Sequence, residues 1–226
     1  MPRFSRIETI NAMIDGGLVP VFYNSSFEIS KKILSACAAG GIRTLEFTNR
    51  GDSAVDIFRE LEKYARDNHS NIILGAGSVP DPFTASLYIQ YGANFIVAPF
   101  LDKETAYLCN KRKVPYSPGC GSVTEIHNAE ELGVEICKIF PGTQVGGPAF
   151  LKALSGPCPR SNIMPTGGVE PTEESLSDWF ASGAACVGLG SSLIPSVIGN
   201  DFDYNSITEK LLKAKEILSG LKRKKG

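Results

Sequence analysis

At 226 residues and 24.3 kDa, with a formal net charge of −1, the chain can bury one full core and predicts a single domain over 1–226. Hydrophobic residues make up 42% and charged residues 21%, ordinary globular values that suggest no nucleic-acid partner and no membrane partner. Six scattered cysteines with no C-x-x-C pair, no signal-peptide pattern and no apolar run long enough to span a bilayer point to a reducing cytoplasm.

The chain opens on a helical pattern at 4–14, with Phe4, Ile7, Ile10 and Ile14 on one face. Short apolar runs then follow at 18–23, 43–48, 71–76, 94–98, 114–117, 135–140, 162–165 and 184–188. Between them lie amphipathic stretches at 27–39, 54–67, 82–91, 103–111, 123–132, 148–154 and 173–182. A last helix is predicted at 207–221, with Leu211, Leu212, Ala214 and Leu218 at helical spacing. The basic end Lys222-Arg223-Lys224-Lys225 reads as a solvated helix terminus. Eight strand–helix units predict an α/β fold, a single (β/α)8 TIM barrel with an extra N-terminal helix plugging one end. An open doubly wound sheet is the structural alternative, but such sheets usually carry fewer strands.

Chemistry concentrates in two of the runs. In Ile136-Cys137-Lys138-Ile139-Phe140-Pro141 a lone lysine interrupts an apolar strand. Burial disfavours its ammonium form and lowers its pKa. A lysine held partly neutral can condense with a ketone to form a Schiff base. The alternative is a strand-end lysine that snorkels its head into water. In Arg43-Thr44-Leu45-Glu46-Phe47-Thr48-Asn49-Arg50, period-two alternation puts Thr44, Glu46, Thr48 and Arg50 on one face and turns Leu45 and Phe47 towards helices. A carboxylate facing a barrel interior is costly unless paired or used, so Glu46 is a candidate general acid/base. Arg50 can grip a carboxylate with two parallel hydrogen bonds. A structural pair of Glu46 with Lys138 or Arg50 is the competing explanation.

Two late runs end in glycine-rich turns, Pro165-Thr166-Gly167-Gly168 and Gly188-Leu189-Gly190-Ser191-Ser192. Loops after strands seven and eight of parallel barrels often bind phosphate through backbone N–H groups. Gly75-Ala76-Gly77-Ser78, Ala98-Pro99-Phe100 and Ser117-Pro118-Gly119-Cys120 end earlier runs, and for each taken by itself turn chemistry is the favoured explanation over a functional one. No Walker lysine motif or dinucleotide fingerprint is present. Only two histidines occur, His69 and His127, both in polar stretches, which argues against a histidine metal site and against a Ser-His-Asp triad.

Together these residues resemble the 2-keto-3-deoxy-6-phosphogluconate (KDPG) / 4-hydroxy-2-oxoglutarate aldolase family of class I, pyruvate-forming aldolases. The match runs through Val19-Pro20-Val21, Leu45–Arg50, Gly75–Ser78, Ser117-Pro118-Gly119, Lys138–Pro141, Pro165–Gly168 and Gly190-Ser191. The resemblance implies cleavage of KDPG to pyruvate and glyceraldehyde 3-phosphate, with 4-hydroxy-2-oxoglutarate, giving pyruvate and glyoxylate, as a further substrate. It implies Lys138 as the Schiff-base lysine and Glu46 as general acid/base. Arg50 would hold the substrate carboxylate with help from Ser78, while Pro99 and Phe140 wall the pyruvyl pocket. Thr166 would line the channel, and Gly167, Gly168, Gly190 and Ser191 would bind phosphate. The partner implied is a small keto-acid phosphate substrate. A homotrimer is implied too, with no metal and no cofactor beyond the covalent imine on Lys138. Ser78 stands where threonine is usual, and Tyr23 where many relatives have a basic residue. Two other readings are a different phosphate-binding barrel enzyme, such as a sugar-phosphate epimerase or isomerase, and a non-catalytic barrel binding protein.

Overall fold

The structure is a computed structural model that describes residues 1–198 and 202–225, with side chains through 221. The basic side chains of 222–225 expected to be solvated lie outside the described ones. The α-helices are α1 (Arg6–Gly16), α2 (Phe27–Ala39), α3 (Ala54–Asn68), α4 (Pro82–Gln90), α5 (Lys103–Arg112), α6 (Val123–Glu131), α7 (Gly147–Leu154), α8 (Glu173–Ala181) and α9 (Asn205–Lys225). The strands are β1 (Leu18–Phe22), β2 (Thr44–Thr48), β3 (Ile73–Gly77), β4 (Ile96–Val97), β5 (Tyr116–Ser117), β6 (Gly119–Cys120), β7 (Cys137–Ile139), β8 (Ile163–Pro165) and β9 (Val187–Leu189).

Local chemistry sets where the helices begin. A side-chain oxygen at the N-cap accepts from a backbone N–H of the first turn at Ser5, Ser26, Asp81, Asp102, Ser122 and Thr172. Helix α3 shows why a helix rather than a strand forms. Its buried residues Ala54, Ile57, Phe58, Leu61, Glu62 and Ala65 recur at intervals of three and four, so they share one face.

Six strands form a curled parallel sheet in the order β5-β4-β3-β2-β1-β9, and three more form a parallel sheet β6-β7-β8. Where eight strands are predicted there are nine among the described residues, because Pro118 interrupts the run at 116–120 and divides it into β5 and β6. Proline has no N–H to give a ladder. The sheets nonetheless meet on both sides. Gly119 N donates to Ala98 O at 3.0 Å and Lys138 N to Pro118 O at 3.0 Å. Ala185 N donates to Ile163 O at 2.9 Å, and Thr166 bridges Gly188 in parallel fashion.

Register decides what shares a face. Val21 lies opposite Glu46, Glu46 opposite Gly75, Thr44 opposite Ile73, and Lys138 opposite both Gly119 and Met164. Apolar members of this inward face, among them Val19, Ile73 and Met164, form a small cluster with Ala12 and Met13 of α1. The outward face, with Leu45, Phe47, Cys137 and Ile139, joins the larger core beneath the helices. Helix α1 therefore caps the inward cluster as expected, with Ala12 and Met13 buried in it and Phe4, Ile10 and Ile14 packed against it. Ile7 is 73% exposed, whereas Thr9, Ala12 and Met13 are buried. The predicted face thus holds except at Ile7, and the contact extends to Ala12 and Met13. In α9, Ile207, Leu211, Ala214 and Leu218 are buried while Leu212 faces out.

Candidate active site

Three polar residues of β2 point inward, and they are satisfied unequally. Thr44 Oγ1 donates to Leu18 O and Thr48 Oγ1 to Phe22 O, each at 3.3 Å. Glu46 lies between them, 1% exposed, and neither Oε1 nor Oε2 has a hydrogen-bond partner among the described residues. The neighbouring strand makes its room: a Cβ on Gly77 of β3 would run into the Glu46 carboxyl. Leaving a buried carboxyl unsatisfied costs stability, which marks it as a group with a use.

Across the interior stands Lys138, in the middle of β7 and 6% exposed. Its Nζ sits 4.7 Å from the centroid of the Phe140 ring. Among the described residues it forms no ion pair with Glu46 or any other carboxylate. Burial pushes the Lys138 pKa down; Glu46 opposes that and Arg50 reinforces it. Burial likewise pushes Glu46 up, against the pull of Lys138 and Arg50. Each group is thus driven towards its neutral form, an amine with a free lone pair facing a carboxyl that keeps its proton to higher pH.

Both groups open onto a cavity of about 650 Å³, whose walls include all the residues singled out from sequence. Arg50 follows β2 at an exposed turn, its N–H on Thr48 O at 2.9 Å. Ser78 follows β3 with a φ of 56°, an unusual backbone for serine that lies beside the site. Pro99 and Phe140 form another wall, Phe140 being 38% exposed. Thr166 is buried with Oγ1 unpartnered, a second unsatisfied polar atom at the same cavity. Gly167 and Gly168 adopt φ of 91° and 75°, which L side chains rarely take, and Gly190 and Ser191 complete the rim. Sequence reasoning missed Glu170, Ile194 and Ser196 in the wall. The nearest signal was position: Glu170 follows two residues after the Gly167-Gly168 turn.

A model of the family "KDPG and KHG aldolase" matches residues 9–210. The chain belongs to that family. The KHG/KDPG aldolase of Escherichia coli (strain K12) is 32% identical over 208 residues, 92% of this chain and 93% of the relative. A 2-dehydro-3-deoxy-phosphogluconate aldolase of Pseudomonas aeruginosa is 35% identical over 173 residues, 76% of each chain. Among solved structures, a KDPG aldolase from Legionella pneumophila superposes with a TM-score of 0.82 at 28% identity, covering 94% of this chain and 98% of that one. That protein was captured with pyruvate as a covalent carbinolamine intermediate. The KDPG/KHG family membership makes the chain a lyase of the aldolase type. Among the described residues no group of His, Cys, Asp and Glu side chains could hold a metal ion, and no helix is long and apolar enough to cross a membrane.

Proposed function

We propose that this chain is a class I aldolase that cleaves KDPG to pyruvate and glyceraldehyde 3-phosphate, and 4-hydroxy-2-oxoglutarate to pyruvate and glyoxylate, through an imine on Lys138. The observation that carries the reading is the juxtaposition on one inward face of a buried, unpaired lysine and a buried carboxyl without hydrogen bonds. An isomerase or a binding protein has no need of that pair.

In the proposed cycle the neutral Lys138 amine attacks the C2 ketone, giving a carbinolamine that loses water to a protonated imine. The imine cation draws the electrons of the C3–C4 bond. Glu46 takes the C4 hydroxyl proton, the bond breaks, and the aldehyde leaves. The resulting enamine takes that proton back at C3 from Glu46, and hydrolysis of the imine frees pyruvate and Lys138. A carboxyl that alternates between base and acid works best with a pKa near the operating pH, and burial moves Glu46 in that direction. Arg50 and Ser78 hold the C1 carboxylate, Pro99 and Phe140 pack the pyruvyl unit, and Thr166 contacts the aldehyde half. Gly167, Gly168, Gly190 and Ser191 receive the phosphate. The imine supplies the electron sink, so no metal is required.

The same reading takes residues 1–226 as one cytoplasmic domain in which the two sheets close into an eightfold barrel. The hydrogen bonds of Gly119, Lys138 and Ala185 and the Thr166–Gly188 bridge support that closure. It also takes the working unit as a homotrimer. Sodium borohydride added with pyruvate tests the chemistry: reduction should fix one pyruvyl group on the tryptic peptide that contains Lys138. Labelling elsewhere, or none, would remove the lysine from its role.

A further inference from the structure

Of the two cations that line the cavity, Lys138 is buried on β7 and Arg50 sits at the exposed turn after β2. Lys138 and Arg50 are close enough to Glu46 to shift its pKa, and each other's environment overlaps with it. At the outer end, around Gly167-Gly168 and Gly190-Ser191, no lysine or arginine lines the wall among the described residues. The amides of Gly168 and Ser191 donate to no described partner, so neutral donors are available there. One charged residue does line this end, and it is an acid. Glu170 is exposed and, among the described residues, in no ion pair, and its own N–H is already given to Ser175 Oγ at 3.0 Å. It brings an anion to the rim and no donor.

Resting on the aldolase reading above, we propose that Glu170 is a specificity-determining residue: its carboxylate weighs against a dianionic tail on the substrate and lets a neutral, hydroxylated tail compete. Backbone N–H groups alone can bind phosphate, but here they do so against a like charge rather than with a cation's help. A neutral tail suffers no such repulsion, and its hydroxyls can donate to Glu170. Because Glu170 is exposed, solvent and salt screen the effect, which keeps it modest.

The test compares KDPG with its dephosphorylated counterpart, 2-keto-3-deoxygluconate, in wild type, Glu170→Gln and Glu170→Lys. Glu170→Gln should raise kcat/KM for KDPG about three- to tenfold, mainly through KM, while the neutral substrate gains nothing. Glu170→Lys should raise it further, and added salt should narrow both gaps. Affinity for glycerol 3-phosphate, which needs no chemistry at Lys138, should tighten in the same order. Intact borohydride trapping with unchanged discrimination in both variants would overturn the role of Glu170 and leave the aldolase reading standing. Failed trapping in wild type would strike the aldolase reading instead. Glycerol 3-phosphate affinity would then decide alone whether Glu170 repels phosphate, and no tightening in either variant would end the proposal.

Discussion

Lys138 and Glu46 divide the chemistry between two side chains whose burial is unfavourable for their charged forms, and that cost is the basis of the residue-scale predictions. Lys138→Ala and Lys138→Arg should each abolish cleavage and borohydride labelling, because a guanidinium stays protonated and cannot attack a ketone. Turnover in either variant, read by coupled pyruvate assay, would assign the imine elsewhere. Glu46→Gln should still trap pyruvate yet lose about 10²–10⁴-fold in turnover, the range of a positioned acid/base. Glu46 also predicts a pH dependence of stability, cleanest in a Lys138→Met background where the amine no longer titrates. A carboxyl whose folded pKa is raised contributes its stability below the ordinary Glu range and loses it as pH rises through the raised value. Lys138→Met should therefore match the double variant Lys138→Met/Glu46→Gln in acid and fall below it with rising pH, by urea melts; a constant gap would mean that Glu46 is not desolvated. Both residues were legible in sequence because a charge in an apolar or alternating run is conspicuous. Glu170 was not, since an acid in a polar loop resembles any solvated side chain until the fold brings its loop to the cavity rim.

At the scale of elements, β3 is shaped around its neighbour. Glu46 of β2 lies where a Cβ on Gly77 would stand, and a Cβ on Gly75 would likewise meet the Phe95 ring. Gly77→Ala should fold with its sheet register retained but displace the Glu46 carboxyl and cost on the order of 100-fold in kcat, as small misplacements of a reacting group do. A variant with wild-type kcat would show that Glu46 has other room. Strand and helix order could be read from the alternation of short apolar and longer amphipathic runs, and α2 occupies the predicted residues 27–39. What escaped was of two kinds. Pro118 is visible in the sequence, but a proline inside a run does not by itself say that one half pairs with the preceding strand β4 and the other with the following strand β7. The buried side of α1 depends on where the inward cluster sits, so Ile7, apolar and periodic, was counted inside although it faces out.

The molecule as a whole exposes apolar groups that its own fold does not cover. Helix α4 carries Phe83, 85% exposed, and one turn later Leu87, 41% exposed; Phe100 and Tyr107, before and in the following α5, are 51% and 46% exposed. A single exposed apolar side chain is ordinary, but two on one helical face beside two more aromatics is the composition of an interface centre. This is the surface that the proposed homotrimer would bury, and none of these four residues lines the cavity. Introducing carboxylates there places unpaired charges in a desolvated contact, which costs more than truncation would. The double variant Phe83→Asp/Leu87→Asp should thus sediment as a single 24.3 kDa chain, whereas wild type should sediment at about three times that mass. Its borohydride labelling on Lys138 should persist, because the imine site is built within one chain. A trimer that survives both substitutions would move the interface to another face, and a wild type that sediments as one chain would dispose of the assembly altogether.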